Sequence, residues 1–374
     1  MHTKKVTVGI MPAIFIIILS VFSACKQQAS TESGAIQKSR HVIDTLITSQ
    51  QIPGLQIAIW QRGEIVLSEG FGYADLEQSV PMATDTKLRI GSVSKTLTSA
   101  AVGKLREQGK LNLDTLVQAY VPYFPEKRYP ITVEQVAGHI AGIRHYRGNE
   151  FLLNKRFNSV KESLEIFAED TLLFKPGTDY SYSSYGWNLI SAVVEGASGT
   201  PFLTYMRNEV FIPLGMDETV PEYTDSLIYH RTDYYTYADD GTVLNAPAVD
   251  NSYKWAGGGF IGTAEDLITF GKKMFWGDFL QPETVELLTE SLVLDSGEKT
   301  NYGIGWRTGT DEEGRRYYGH SGGSVGGTTQ FVVFPEQKVI VAMIANIGDV
   351  SYRDAHLEIA GFFMAGANTA SEQN

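Results

Sequence analysis

The sequence predicts an α/β protein of the α+β type: one antiparallel sheet, built from the N- and C-terminal segments and flanked by helices, plus a mostly helical lobe. Three observations predict it. Strand-like patterning is concentrated near the two ends, in "LQIAIWQRGEIVLSEGFG" and in "TTQFVVF" with "KVIVAMIANI". The middle, about Leu111 to Tyr235, carries helix and loop signals with few strand signals. No internal repeat divides the chain, and strand-rich ends around a helical middle suggest a single shared sheet. The expected division is residues 1–24 as a lipoprotein signal peptide, 25–34 as a tether, 35–90 with 240–370 as one discontinuous sheet lobe, and 91–239 as the helical lobe.

The first residues stand apart from the fold. Lys4 and Lys5 precede the apolar run Val8 to Phe22 and then "SACKQQAS", the order of a charged region, a hydrophobic region and a small-residue cleavage site. "VFSAC" resembles a bacterial lipobox with Phe22 where Leu is commoner, which implies a lipid anchor on Cys25. The expected location is the cell envelope, lipid-anchored and facing the periplasm or the exterior. Cys25 is the only cysteine, so no disulfide forms within one chain.

The elements follow in order. Ile36, Val42, Ile43 and Leu46 share one helical face, and Pro53-Gly54 stops that helix. Two alternating strands then turn at Arg62-Gly63. Apolar positions return at helical spacing from Leu97 to Leu105, and Gly109 supplies a left-handed C-terminal end. Turns at Thr310 to Gly314 and at Pro335-Glu336 separate the late strands, and a helix over Tyr352 to Ala365 closes the chain.

Composition excludes some functions. With 43% hydrophobic and 20% charged residues, 374 residues bury a large core. A formal net charge of -12 argues against a phosphate-tracking nucleic-acid binder, which shows a basic stripe. His139 and His145 lie in "GHIAGIRHY" without H-E-x-x-H or a carboxylate at ligand spacing, so structural roles are expected and no metal or cofactor is.

Serine chemistry is the live question. "YYGHSGGSVGGTTQFVVF" holds two overlapping G-x-S-x-G motifs, on Ser321 and on Ser324. A nucleophile elbow needs a strand, a sharp turn and a helix, with acid and histidine partners following in chain order. Here a strand follows, and the only later histidine, His356, is two residues from Asp354. Neither serine fits, and the five glycines read as a bend where backbone comes close to something.

S-x-x-K offers a different chemistry, because i, i+3 spacing puts the lysine on the same helix face as the serine. The tetrapeptide occurs at Ser23, Ser296 and Ser92, and only Ser92-Val93-Ser94-Lys95 opens a helix. Free N–H groups there can face a developing oxyanion, and a desolvated lysine near another cation can act as a base. Alone, the motif is equally compatible with Ser92 as a helix cap and Lys95 as a surface charge.

"RIGSVSKTLTS" resembles the first motif of the serine β-lactamase and penicillin-binding superfamily, in its class C, esterase and D-stereospecific peptidase branch. Tyr182-Ser183-Ser184 matches its Y-x-N motif, and His320-Ser321-Gly322 its strand motif in the H-[ST]-G form. "DTLVQAYVPYFPEKRYPITVEQVAGHIAGIRHY" and "APAVDNSYKWAGGGFIGTAEDLITFGKKM" are similar to the subgroup that contains mitochondrial serine β-lactamase-like proteins and their bacterial relatives. The likeness runs from about Ile36 to Met364.

The resemblance implies a serine hydrolase working through an acyl-enzyme on a peptide, amide or ester. Ser92 would be acylated, Lys95 would help remove its proton, and Tyr182 would be a second acid/base, able to act as a phenolate beside two cations. His320 would stand where β-lactamases carry a lysine. Backbone N–H groups of Ser92 and Gly323 would form the oxyanion hole, and Ser184, Ser321 and Gly322 would bind substrate. Ser184 in place of Asn departs from the pattern and removes an amide that both donates and accepts. The rival readings are a true β-lactamase and a non-catalytic binding or assembly protein. "AGGGF", Gly257 to Phe260, suggests a loop near the site, and Tyr253 and Lys254 are compatible with a pocket wall or a surface.

Overall fold

The computed structural model describes residues 33–364. The signal segment, the tether residues up to 32 and Cys25 lie outside the described residues. Helix α1 spans 33–50, and Ile52 and Pro53 lead directly into the sheet. The strands are β1 (Gly54–Gln61), β2 (Glu64–Asp75), β3 (Val80–Pro81), β4 (Leu88–Arg89), β5 (Val220–Pro221), β6 (Tyr235–Tyr237), β7 (Val243–Asn245), β8 (Phe260–Gly262), β9 (Arg307–Thr310), β10 (Arg316–Ser324), β11 (Gly327–Phe334) and β12 (Val339–Ala345).

Seven of them form one sheet in the order β3-β2-β1-β12-β11-β10-β9. Every neighbouring pair is antiparallel. Strand β1, near the N-terminus, pairs with β12, near the C-terminus, from Leu55 opposite Ala345 to Gln61 opposite Val339. The expected sheet from the two ends of the chain is therefore present. The turn at Arg62-Gly63 places both residues at positive φ, 49° and 124°, which matches the twist of a two-residue hairpin.

Both faces of the sheet are covered, which explains the unbroken apolar run of β12. Its Val339, Val341, Met343 and Ala345 pack with Ile43 of α1 and Ile359 of the helix Ala355–Met364. Its Ile340, Ala342 and Ile344 face the other way, into the main core with Leu267 and Phe270 of the helix Ala264–Trp276. The closing helix begins at Ala355 rather than Tyr352, because Tyr352 is buried and donates its hydroxyl to the Thr328 carbonyl.

The helical part carries α2 (Ser94–Glu107), α3 (Val133–Ala137), α4 (Val160–Leu164) and α5 (Ser184–Ser198). Helix α2 runs through the interior: Ser94 to Gly103 are all buried. Its small residues fit there because Thr98 and Ser99 return their hydroxyls to helix carbonyls. A three-stranded sheet, β4-β8-β5, leads the chain into the turn before α2.

Candidate active site

Ser92 lies in a 3-10 turn, Gly91–Val93, two residues ahead of the first residue of α2 rather than inside it. Its side chain makes no capping bond. Gly91 has φ of +50°, and a Cβ there would stand 2.9 Å from the Gly323 carbonyl oxygen and 3.0 Å from the Gly323 nitrogen. Only glycine suits a left-handed residue with backbone so close. The glycine-rich stretch is thus the place where β10 meets the Ser92 turn.

Lys95 is fully buried. Its Nζ lies 2.9 Å from Ser92 Oγ, 2.7 Å from the Gly257 carbonyl oxygen and 3.3 Å from Ser184 Oγ. It also sits 4.9 Å from the centre of the Tyr182 ring. The surface-charge reading of Lys95 fails on this burial. Burial pushes the amine well below its ordinary value, and the charges of Lys254 and Arg307 push the same way. A neutral amine at hydrogen-bond distance from a hydroxyl can take its proton.

Tyr182 is placed by the start of α5. Ser183 caps that helix, accepting from the Gly186 N–H at 3.0 Å. The Ser183 N–H donates to His139 Nδ1 at 3.1 Å, and the Ser184 N–H to His145 Nδ1 at 3.2 Å. Both histidines therefore hold backbone, as expected. Tyr182 Oη is buried and, among the described residues, has no hydrogen-bond partner of ordinary geometry. Burial pushes its phenol up, while Ser92 and Arg307 pull only partly against that. In a desolvated pocket the neutral phenol is favoured over the phenolate.

Alternation along β10 divides the third motif. Ser321 and Gly323 line the cleft together with Ser92, Tyr182 and Ser184. Gly322 does not line it: it is buried against Ile90, whose carbonyl oxygen would stand 2.1 Å from an added Cβ. His320 is also buried, behind the wall. Its Nδ1 bonds the Ser321 carbonyl oxygen at 2.6 Å, which requires a proton there, so Nε2 accepts from Tyr302 Oη at 2.9 Å. Burial, with Lys95 and Arg307, pushes its pKa well below the ordinary histidine value. Burial favours the neutral His320 ring, which accepts from Tyr302 and borders Tyr182 at 6.0 Å between ring centres.

Two cations belong to the cleft that the motifs did not single out. Lys254 lines it while only 2% exposed, and burial pushes its amine down to about 7, Arg89 adding to the shift and Glu222 opposing it. Arg307, the first residue of β9, lines it too, 5.6 Å from the Tyr182 ring. The only hint in the sequence was the position of Lys254 beside "AGGGF".

The Beta-lactamase family model matches residues 39–360. The serine beta-lactamase-like protein LACTB, mitochondrial, of Homo sapiens is 31% identical over 433 aligned residues, covering 87% of this chain and 79% of that protein. Penicillin-binding protein 4* of Bacillus subtilis is 26% identical, covering 88% and 76%. Among solved structures, the octameric penicillin-binding protein homologue from Pyrococcus abyssi superposes with a TM-score of 0.73 at 26% identity, covering 83% of this chain and 73% of that one. These findings correct the expected location. The relatives from Homo sapiens, Mus musculus and Bos taurus are mitochondrial proteins by name, which points away from a lipid-anchored protein of the cell envelope.

Proposed function

The chain belongs to the Beta-lactamase family, and we propose that within it the protein is a serine hydrolase that acylates Ser92 with a peptide, amide or ester substrate. One observation carries this reading: a fully buried lysine amine, 2.9 Å from a serine hydroxyl that opens on a cleft.

The proposed steps are these. Neutral Lys95 takes the Ser92 proton as Oγ bonds to the substrate carbonyl carbon. The N–H groups of Ser92 and Gly323 receive the oxyanion. Tyr182, a neutral phenol, gives its proton to the leaving amine or alcohol as the carbon–heteroatom bond breaks, and Lys95 restores that proton. Water then attacks the acyl-enzyme by the same exchange, releasing the acid and returning the proton to Ser92. Ser184, Ser321 and Gly323 border the carbonyl, while Gly322 and His320 act from behind the wall.

A fluorophosphonate probe tests the assignment. Labelling is expected on Ser92 by peptide mass spectrometry, lost in Ser92→Ala and kept in Ser321→Ala and Ser324→Ala. Label on Ser321 or Ser324, or an unreactive wild-type protein, would overturn it, and the second result would favour a non-catalytic binding role.

A further inference from the structure

Among the described residues that line the cleft, Lys254 is the one buried cation that the chemistry above leaves unused. Among the described residues its Nζ has neither a hydrogen-bond acceptor nor a carboxylate within 4.0 Å, unlike Arg89 and Arg144, whose side chains are paired. The one acidic residue that acts on it, Glu222, is already engaged: it accepts from Arg89 and Asn251. Around the amine stand the rings of Phe151, Tyr253 and Tyr146, with centres at 4.5, 5.3 and 5.8 Å. Ring faces favour a cation there, yet a desolvated ammonium without an anion is costly. Folding meets that cost by pushing the amine down to about 7. A carboxylate arriving in the cleft would remove the cost and hold the charged form.

Lys254 lines the same cleft as Ser92, so such an anion would share that cleft with the acylated group. The Lys254 carbonyl accepts from the Gly257 and Gly258 N–H groups, and the Gly257 carbonyl in turn holds Lys95 Nζ. Lys254 is therefore tied by one turn to the group that faces Ser92. Tyr146 shares the cleft wall with both Ser184 and Lys254. Ser184 is where the family motif has an amide, and a serine hydroxyl there reaches less far.

We propose that Lys254 is an anion subsite that takes a carboxylate carried on the acyl group of the substrate. The proposal deepens the hydrolase reading and relies on it for Ser92 as the acylated residue. Substrates of this class are acyl donors with a second, free carboxylate a few bonds from the reacting carbonyl.

Two measurements test it. The first compares mono-4-nitrophenyl esters of succinic, glutaric and adipic acid with the same acyl chains methyl-esterified at the free end. The charged-to-capped ratio of kcat/KM is expected to exceed one for the best chain length and to fall at least tenfold in Lys254→Met. Taking the ratio cancels any effect of Lys254 on the reactivity of Lys95. The second is calorimetric binding of succinamate, glutaramate and adipamate at pH 6 to Ser92→Ala, with and without Lys254→Met. At least tenfold weaker binding in the double variant is expected. A ratio or an affinity indifferent to Lys254 overturns the subsite while leaving the hydrolase standing. Lys254-dependent binding without acylation of Ser92 by any ester overturns the hydrolase reading and keeps the subsite.

Discussion

A lysine amine in water at neutral pH is almost always charged and therefore a poor base. Lys95 differs because α2 is buried from Ser94 to Gly103, leaving the side chain no route to solvent. Burial first, then Lys254 and Arg307, lower its pKa well below 10.5. The sign follows directly. The neutral fraction grows as pH rises through the lowered value, so acylation should accelerate with pH and level off well short of the ordinary lysine range. The controlling value belongs to the coupled cluster of Lys95, Tyr182 and Lys254. Lys95→Arg keeps a cation that does not deprotonate in proteins, so single-turnover labelling should fall at least a hundredfold at every pH up to 10. Circular dichroism checks that the variant is folded, and a folded variant labelled at the wild-type rate would remove Lys95 from the chemistry. The Ser92–Lys95 spacing was readable because i, i+3 proximity is local. The depth of Lys95 was not, since it depends on Ser184 and Gly257, which are 89 and 162 residues away.

Among the elements, β10 and the Ser92 turn illustrate the same divide. The run Gly319 to Gly327 announces close backbone contact, but its partner, Ile90-Gly91, lies some 230 positions earlier and no short-range pattern names it. Adjacent glycines on β10 should respond differently. At Gly322 a Cβ would stand 2.1 Å from the Ile90 carbonyl oxygen and 3.0 Å from its carbon, both backbone atoms that cannot swing aside. At Gly323 nothing lies within 4 Å of the added atom. Gly322→Ala should therefore cost about 1 to 3 kcal/mol, typical of overpacking, whereas Gly323→Ala should keep wild-type stability within about 0.5 kcal/mol. Urea denaturation of the two variants measures the difference, and equal midpoints would refute the close approach. Because the strained contact touches the residue before Gly91, Gly322→Ala should also slow labelling of Ser92.

At the scale of the molecule, long alternating strands at both ends foretold the main sheet, and the covered faces of β12 account for its purely apolar pattern. The small sheet was invisible, because β4, β5 and β8 are only two or three residues each, too short for any period to register. Yet it carries a connection between distant parts of the cleft. Arg89, the second residue of β4, donates to Glu222 just after β5 at 2.7 Å and to the Val325 carbonyl in the β10–β11 turn at 2.5 Å. Asn251, in the turn that leads to Lys254, donates to the same Glu222 oxygen at 2.6 Å. Three segments bordering the cleft thus meet at one buried ion pair, with side chains 6% and 2% exposed. Burial would raise the Glu222 carboxyl, but Arg89 holds it below its ordinary value. Removing only Arg89 strands that carboxylate in the interior, so Arg89→Met should lose about 3 to 5 kcal/mol. Arg89→Met combined with Glu222→Leu leaves no stranded charge and should recover most of that loss in urea denaturation. Activity should not recover with it, because the Val325 carbonyl and Asn251 both lose the partner that aligned them. A double variant as active as wild type would show that the pair only fills space, whereas one that is stable but at least tenfold slower in labelling Ser92 would show that it sets the geometry of the cleft.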